Sequence, residues 1–249
     1  MIYGVILASG VGSRMKEKIP KQFIKIDGIP IIAYTVYSLC NVKRIDLIII
    51  VCHPDYIEDA REIVDVFFSE EDKARIVLIT GGKERIDSID NAISYIVKTT
   101  EIGEEDIIIF HDAVRPFVTR EILENSIDGA REKGATVAGL AAVDTMLVSE
   151  DGNLVDDIPD RSKLFNGQAP DSFRLKLFLQ MRSNIDDERR KEVFGTSKIC
   201  ELNNAPIYMI PGDELNFKIT TPNDLKKAKF YLSLIKEEDH ESFKFARNK

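Results

Sequence analysis

The 249-residue sequence has little with which to build a metal or disulfide framework. Its three cysteines, Cys40, Cys52 and Cys200, and three histidines, His53, His111 and His240, are scattered at spacings that match no zinc set. An odd number of cysteines without a pattern reads as buried thiols in a reducing compartment. No apolar run approaches the roughly 20 residues needed to span a bilayer, and the first residues enter a strand with no signal-peptide pattern. No membrane partner is therefore expected, and the expected location is the cytoplasm. Basic charge is also in deficit: 34 Lys and Arg stand against 42 Asp and Glu, a net charge of −8. That balance excludes the broad cationic face on which binding to a nucleic-acid polymer depends, although a few placed cations suffice for one nucleotide. The two best-known phosphate loops are missing as well. No glycine turn continues into Gly-Lys-Ser/Thr, and Met15 stands where a dinucleotide fingerprint would have its third glycine. No acidic residue follows a second strand at the distance that grips an NAD ribose.

What is present is an alternation of strand and helix patterns. Strands are expected at Ile2–Leu7, Leu47–Cys52, Ile76–Thr80, Asp106–His111 and Thr136–Ala142, with a later one at Ala205–Ile210. Helices are expected at Ile31–Leu39, Ile57–Phe68, Arg85–Lys98, Arg120–Lys133, Leu175–Ser183 and Asn223–Ile235. Unbroken runs such as Leu47-Ile48-Ile49-Ile50-Val51 mark strands covered on both faces. The expected fold is α/β, a doubly wound, mostly parallel Rossmann-like sheet, in a single domain over residues 1–235 followed by a charged tail, 236–249. After Ala142 the pattern changes. Thr145-Met146-Leu147-Val148 and Leu154-Val155 flank Ser149-Glu150-Asp151-Gly152-Asn153, a hairpin signal. A β-hairpin arm over about 144–172 is expected to project from the body. Such an arm cannot bury its own faces, so a homodimer packed through it is expected, which a monomeric mass by light scattering would refute.

The first strand runs into Leu7-Ala8-Ser9-Gly10-Val11-Gly12-Ser13-Arg14-Met15, and Pro20-Lys21-Gln22-Phe23 follows. Gly10 and Gly12 let the backbone approach an anion with its N–H groups turned inward. Arg14 adds a fork of donors and Lys21 a point charge, with Pro20 restricting the chain before it. A glycine turn also occurs in this place in Rossmann-like folds generally, so the loop alone does not name a ligand. Gly81-Gly82-Lys83-Glu84-Arg85 leads to Ser88 after the third strand, where paired glycines admit a flat base and Ser88 can bond its edge. The same segment also reads as a plain β–α turn with a helix cap. His111-Asp112-Ala113-Val114-Arg115-Pro116 leaves the fourth strand at the crevice where ligands of such sheets bind. Asp112 can accept from hydroxyls or hold a hydrated metal ion and Arg115 can bind phosphate, or the two can simply brace a loop. Lys218, alternating with Phe217 and Ile219, is expected on a strand and turned from the core, before a helix capped by Thr221.

These motifs, with Asp144-Thr145, Arg161 ahead of Gly167-Gln168-Ala169-Pro170-Asp171-Ser172-Phe173, and Asn216-Phe217-Lys218-Ile219-Thr220, occur in the order seen in cytidylyltransferases that activate polyol phosphates. The sequence resembles that family from Met1 to about Leu232. The resemblance implies transfer of CMP from CTP to a polyol phosphate, with release of pyrophosphate. It implies that Leu7, Ala8, Ser9, Gly10, Gly12, Gly82, Arg85, Ser88 and Ala113 bind CTP, and that Arg14, Lys21, Arg161 and Lys218 serve catalysis, Arg161 from across the dimer. Asp112, Arg115 and Thr145 would hold the acceptor. Mg²⁺ would be held mainly by the phosphates, with Asp112 assisting. Of the two branches, Asp157-Ile158-Pro159-Asp160-Arg161 and Thr196-Ser197-Lys198 look more like the ribitol 5-phosphate branch, and the methylerythritol 4-phosphate branch is the alternative. A non-catalytic nucleotide binder is disfavoured because the charged set is complete. Ser9, Ala169 and Asp171 depart from the residues usual in both branches.

Overall fold

The computed structural model describes residues 1–10 and 19–238. Gly12 and Arg14, and the expected tail from residue 239 on, lie outside the described residues. The centre of the sheet is β1 (Ile2–Ala8), buried along its whole length. Parallel β4 (Leu47–Cys52) and β6 (Ile107–Asp112) flank it, and β5 (Ile76–Thr80) lies beyond β4. Two short antiparallel strands, β2 (Lys25–Ile26) and β3 (Ile29–Pro30), form a separate pair turned by Asp27 and Gly28 at positive φ.

Alternation along these strands divides the core into two layers. Ile2, Ile6 and Ala8 of β1 and Ile48, Ile50 and Cys52 of β4 face α1 (Ile31–Cys40), α2 (Ile57–Phe67), α5 (Arg120–Lys133) and α8 (Pro222–Glu238). Tyr3, Val5 and Leu7, with Ile49 and Val51, face α4 (Arg85–Thr99), α6 (Leu175–Ser183) and α7 (Thr196–Leu202). The short α3 (Glu70–Lys73) precedes β5. Gly4 completes the first face: a Cβ there would lie 2.9 Å from Leu39 Cδ2, so α1 rests directly on the strand. The strand and helix expectations hold to within a few residues, and Thr221 caps α8, its hydroxyl accepting from Asp224 N at 3.3 Å. No described helix is long and apolar enough to cross a membrane.

The far side of the sheet departs from expectation. β8 (Phe165–Arg174) runs antiparallel between β6 and β7 (Ala135–Ala141), and β9 (Tyr208–Pro211) lies parallel outside β7, giving the order β5-β4-β1-β6-β8-β7-β9. The sequence of β8 contains Gly167, Pro170 and Asp171 and lacks a strand's usual alternation, so nothing local announces it. It is held by burial: Phe173 packs on Phe110 and Phe178 with ring centroids 6.1 and 4.7 Å apart. The arm is accordingly shorter than the expected 144–172, because residues from 165 onward belong to the sheet. Within it the chain doubles back through one antiparallel bridge, Val148 to Asp157, around a turn in which Asp151 accepts from Asn153 N and Leu154 N. Val143 and Leu154 are 71% and 68% exposed, so much of the arm's apolar surface stays uncovered within one chain.

Candidate active site

Strands are added to one side of β1 as far as β5 and to its other side from β6, and the candidate side chains gather outside the carboxyl ends of these two parallel strands, where open α/β sheets bind ligands. Gln22 is the first organiser. Fully buried, it donates from Nε2 to the carbonyls of Ala8 at 2.6 Å and Gly10 at 3.0 Å, and so holds the backbone where it leaves β1. Gln22→Leu leaves both carbonyls unpaired, and the expected outcome is about a tenfold rise in KM for CTP in steady-state kinetics, with a smaller change for the acceptor. Ser9 ties this loop to the next one. Its hydroxyl lies 2.8 Å from that of Ser88, which also accepts from Gly82 N and donates to the Glu84 carbonyl. Ser88 is completely buried and its hydroxyl is engaged. It joins two loops, and Gly81 makes that closeness possible because a Cβ there would stand 2.6 Å from the Ser9 Cβ. Gly82 likewise packs on Asp87 at the start of α4 and does not line the cavity.

Two cavities open here. The first, about 200 Å³, is lined by Leu7, Ala8, Ser9, Gly10, Lys21, Arg85 and Ala113 among others, so six of the nine residues expected to bind the nucleotide stand together with Lys21 of the expected catalytic set. The second, about 210 Å³, is lined by Arg115, Gln168, Ala169, Asp171, Phe194 and Ser197. Arg85, Asp112 and Lys218 border both. A larger depression of about 300 Å³ around Phe23, Tyr56 and Phe67 shares no residue with either.

Asp112 is the hub of the common wall. Its Oδ1 takes Arg85 at 3.0 Å, and its Oδ2 takes Arg115 at 3.2 Å and Lys218 at 3.1 Å. Burial alone would raise its pKa, but Arg85, Lys218 and Arg115 together overcome that and hold the carboxyl well below the usual carboxylate range. Lys218 reaches this point from an irregular segment, not from the expected strand. With both oxygens taken by cations, Asp112 is a poor ligand for magnesium, and the described residues contain no other cluster of His, Cys, Asp or Glu able to hold a metal. The expected assistance of Asp112 to Mg²⁺ does not fit this donor set.

Arg115 is fixed in turn by Asn216, whose carbonyl accepts from it at 2.7 Å and whose side-chain amide donates to the Ala169 carbonyl at 2.7 Å. This fully buried link joins the segment before α8 to β8. Neither Gln22 nor Asn216 stood out as a site organiser in the sequence, since an amide that bonds backbone carbonyls carries no spacing signature. Thr145 and Arg161 lie on the exposed arm and line neither cavity, and Arg161 donates to the Val143 carbonyl of its own chain at 2.6 Å.

His111 and the cysteines are not suited to proton transfer. His111 is fully buried, pushed down to about 4 by desolvation, with Nε2 3.2 Å from the Arg115 carbonyl. Its folded value lies below the ordinary 6.5, so the unfolded chain takes up a proton first as pH falls. Stability is therefore lost from about pH 6.5 down to about 4, by up to about 3 kcal/mol. The expected outcome is that the Tm difference between the wild type and His111→Asn changes across that window in thermal melts and is constant above it. Burial pushes the thiols of Cys40 and Cys52 up to about 12 and that of Cys200 up to about 11, as befits inert core residues.

Two adjoining cavities over one cationic wall suit two anionic substrates, and the whole chain has counterparts of the same form. The family model for 2-C-methyl-D-erythritol 4-phosphate cytidylyltransferase matches residues 2–234. The solved 4-diphosphocytidyl-2C-methyl-D-erythritol synthase of Anaerococcus prevotii is 26% identical, with a TM-score of 0.75 over 93% of this chain and 96% of that one. The Francisella tularensis 2-C-methyl-D-erythritol 4-phosphate cytidylyltransferase superposes with a TM-score of 0.75 at 23% identity, covering 92% of this chain and 98% of that one. The enzyme of that name from Thermus thermophilus gives 0.70 at 22% identity, over 94% and 100% of the two chains. With a family model spanning nearly its full length, this chain belongs to the 2-C-methyl-D-erythritol 4-phosphate cytidylyltransferase family and is a cytidylyltransferase acting on a polyol phosphate.

Proposed function

We propose that the chain transfers CMP from CTP to 2-C-methyl-D-erythritol 4-phosphate. The observation that carries this reading is the wall of Arg85, Asp112 and Lys218 common to both cavities, together with the family match over residues 2–234. An oxygen of the acceptor phosphate attacks the α-phosphorus of CTP in line. The new P–O bond forms as the bond to the β-phosphate oxygen breaks, and pyrophosphate leaves with that electron pair. Two anions must meet, so charge neutralisation and positioning supply the rate, and no nucleophilic side chain or general base is needed.

In this reading the N–H groups of the loop from Ala8 to Gly10, held by Gln22, face the triphosphate, and Lys21 neutralises charge on it. Arg14, outside the described residues, adds to this by family resemblance. Arg115 and Lys218 hold the acceptor phosphate, oriented by Asp112. Thr145 and Arg161 reach the acceptor site of a second copy through the arm, whose exposed apolar residues are then covered. Magnesium accompanies the phosphates of CTP.

Of the Thr196-Ser197-Lys198 segment that suggests ribitol 5-phosphate, Thr196 and Ser197 bond to Asp171 of the same chain beside the second cavity. The family match favours methylerythritol phosphate. The test supplies CTP and Mg²⁺ with each polyol phosphate separately and measures pyrophosphate. Release with 2-C-methyl-D-erythritol 4-phosphate is expected. Release with ribitol 5-phosphate alone moves the assignment to that acceptor, and release with neither overturns it.

A further inference from the structure

The second cavity contains an acid that the reaction as described does not use. We propose that Asp171 is a specificity-determining residue, one carboxylate oxygen accepting a hydrogen bond from a hydroxyl on the acceptor's carbon chain. This rests on the assignment of the second cavity to the polyol phosphate.

Its position follows from the sheet. Pairing of β6 with β8 ends at Phe110 and Asp171, so Asp171 stands where the two strands part and the cavity opens. On the other side Val137 pairs with Asp171 while the next residue, Ala138, pairs with Gln168, and this bulge re-aims the side chains of β8. The carboxylate is then anchored from one side only. Its Oδ2 accepts from the Thr196 hydroxyl and from Ser197 N, the latter at 3.0 Å, whereas Oδ1 takes no hydrogen bond from any described residue.

Charge in the cavity is laid out asymmetrically. Arg115, Arg85 and Lys218 gather at Asp112 on one wall, which suits a phosphate. Asp171 lines the same cavity without an ion-pair partner among the described residues, and a lone carboxylate suits the neutral donor groups of a polyol. Burial pushes its carboxyl up to about 6, only partly offset by Thr196, Arg85 and Ser197, so it is ionised at neutral pH at a cost that a hydroxyl donor would reduce. The neighbouring Ala169 has no side-chain donor or acceptor, which leaves Asp171 and Gln168 as the polar side chains this stretch of β8 offers the cavity, and Gln168 is engaged with Asp213 and Asn216.

The test compares the wild type and Asp171→Asn on the polyol phosphate that the wild type turns over, and on the analogues lacking each of its hydroxyls in turn. For the wild type, removing one particular hydroxyl is expected to raise KM for the acceptor about tenfold or more, the scale of a hydrogen bond to a charged group. Asp171→Asn should show a similar rise on the intact acceptor, lose discrimination against that one analogue, and keep its KM for CTP. Equal discrimination by both proteins overturns the inference. Should the variant fail to fold, the wild-type series decides alone, since no tenfold loss with any analogue also overturns it. A wild type that turns over neither polyol phosphate withdraws the parent assignment together with this one, and is told apart by the absence of pyrophosphate release.

Discussion

Lys21→Ala lowers kcat by about 10²–10³, the scale of losing one donor that acts on charge developing in the transition state. The lysine is delivered by a short, well-anchored turn. Pro20 sits at φ −58°, its carbonyl accepts from Phe23 N at 2.9 Å, and Phe23 stacks on Tyr56 with ring centroids 5.5 Å apart. Next to it Gln22 is locked into the glycine loop, so the lysine's backbone cannot drift relative to the loop it serves. Truncation therefore removes a charge from the first cavity. Single-turnover kinetics with saturating CTP check this, alongside a thermal melt in which Tm should stay within a few degrees of the wild type. Near-normal turnover would remove Lys21 from the catalytic set.

Asp112→Asn is expected to have the second largest effect, on stability as well as activity. The substitution keeps the shape but removes the one negative charge that lets Arg85, Arg115 and Lys218 stand together. Removing one partner of a buried ion pair costs about 3–5 kcal/mol, and the lower end applies here because Arg85 and Lys218 are each about a third exposed to screening water. Because the folded carboxyl is held below its unfolded value, its contribution is complete above about pH 4 and is lost only as pH falls further, so a neutral assay reads it in full. A lower urea midpoint is expected at pH 7.5, partly restored by added phosphate, which should stabilise the variant more than the wild type. Acceptor KM should rise far more than KM for CTP. An unchanged urea midpoint, or equal effects on the two substrates, would contradict the role given to this hub.

How much was legible in the linear chain can be judged from single elements. Leu47–Cys52 was placed to the residue because a strand buried on both faces needs an unbroken apolar run, and few other structures do. Arg120–Lys133 was placed as well as that because both ends are chemically marked, Thr119 accepting from Ile122 N and Gly134 closing the helix at φ +94°. β8 was not, because a strand rich in Gly, Pro and Asp takes its stability from Phe110, Phe178 and the strands beside it. The contact between the Ser9 and Ser88 hydroxyls was not legible either, because it brings together two loops 79 residues apart in the chain.

Local conformational preference and hydrophobic period are written residue by residue, and from them the sequence by itself determined the α/β alternation and the parallel strands β1, β4, β5 and β6. Ordered motifs carried the family. The meeting of Arg85, Arg115 and Lys218 on Asp112, the wall between two cavities, and the half-anchored Asp171 were decided only by the tertiary structure. Each depends on chain segments far apart in sequence returning to one sheet edge, and Coulomb and hydrogen-bond energies act over ångströms in space, with no period along the chain to announce them.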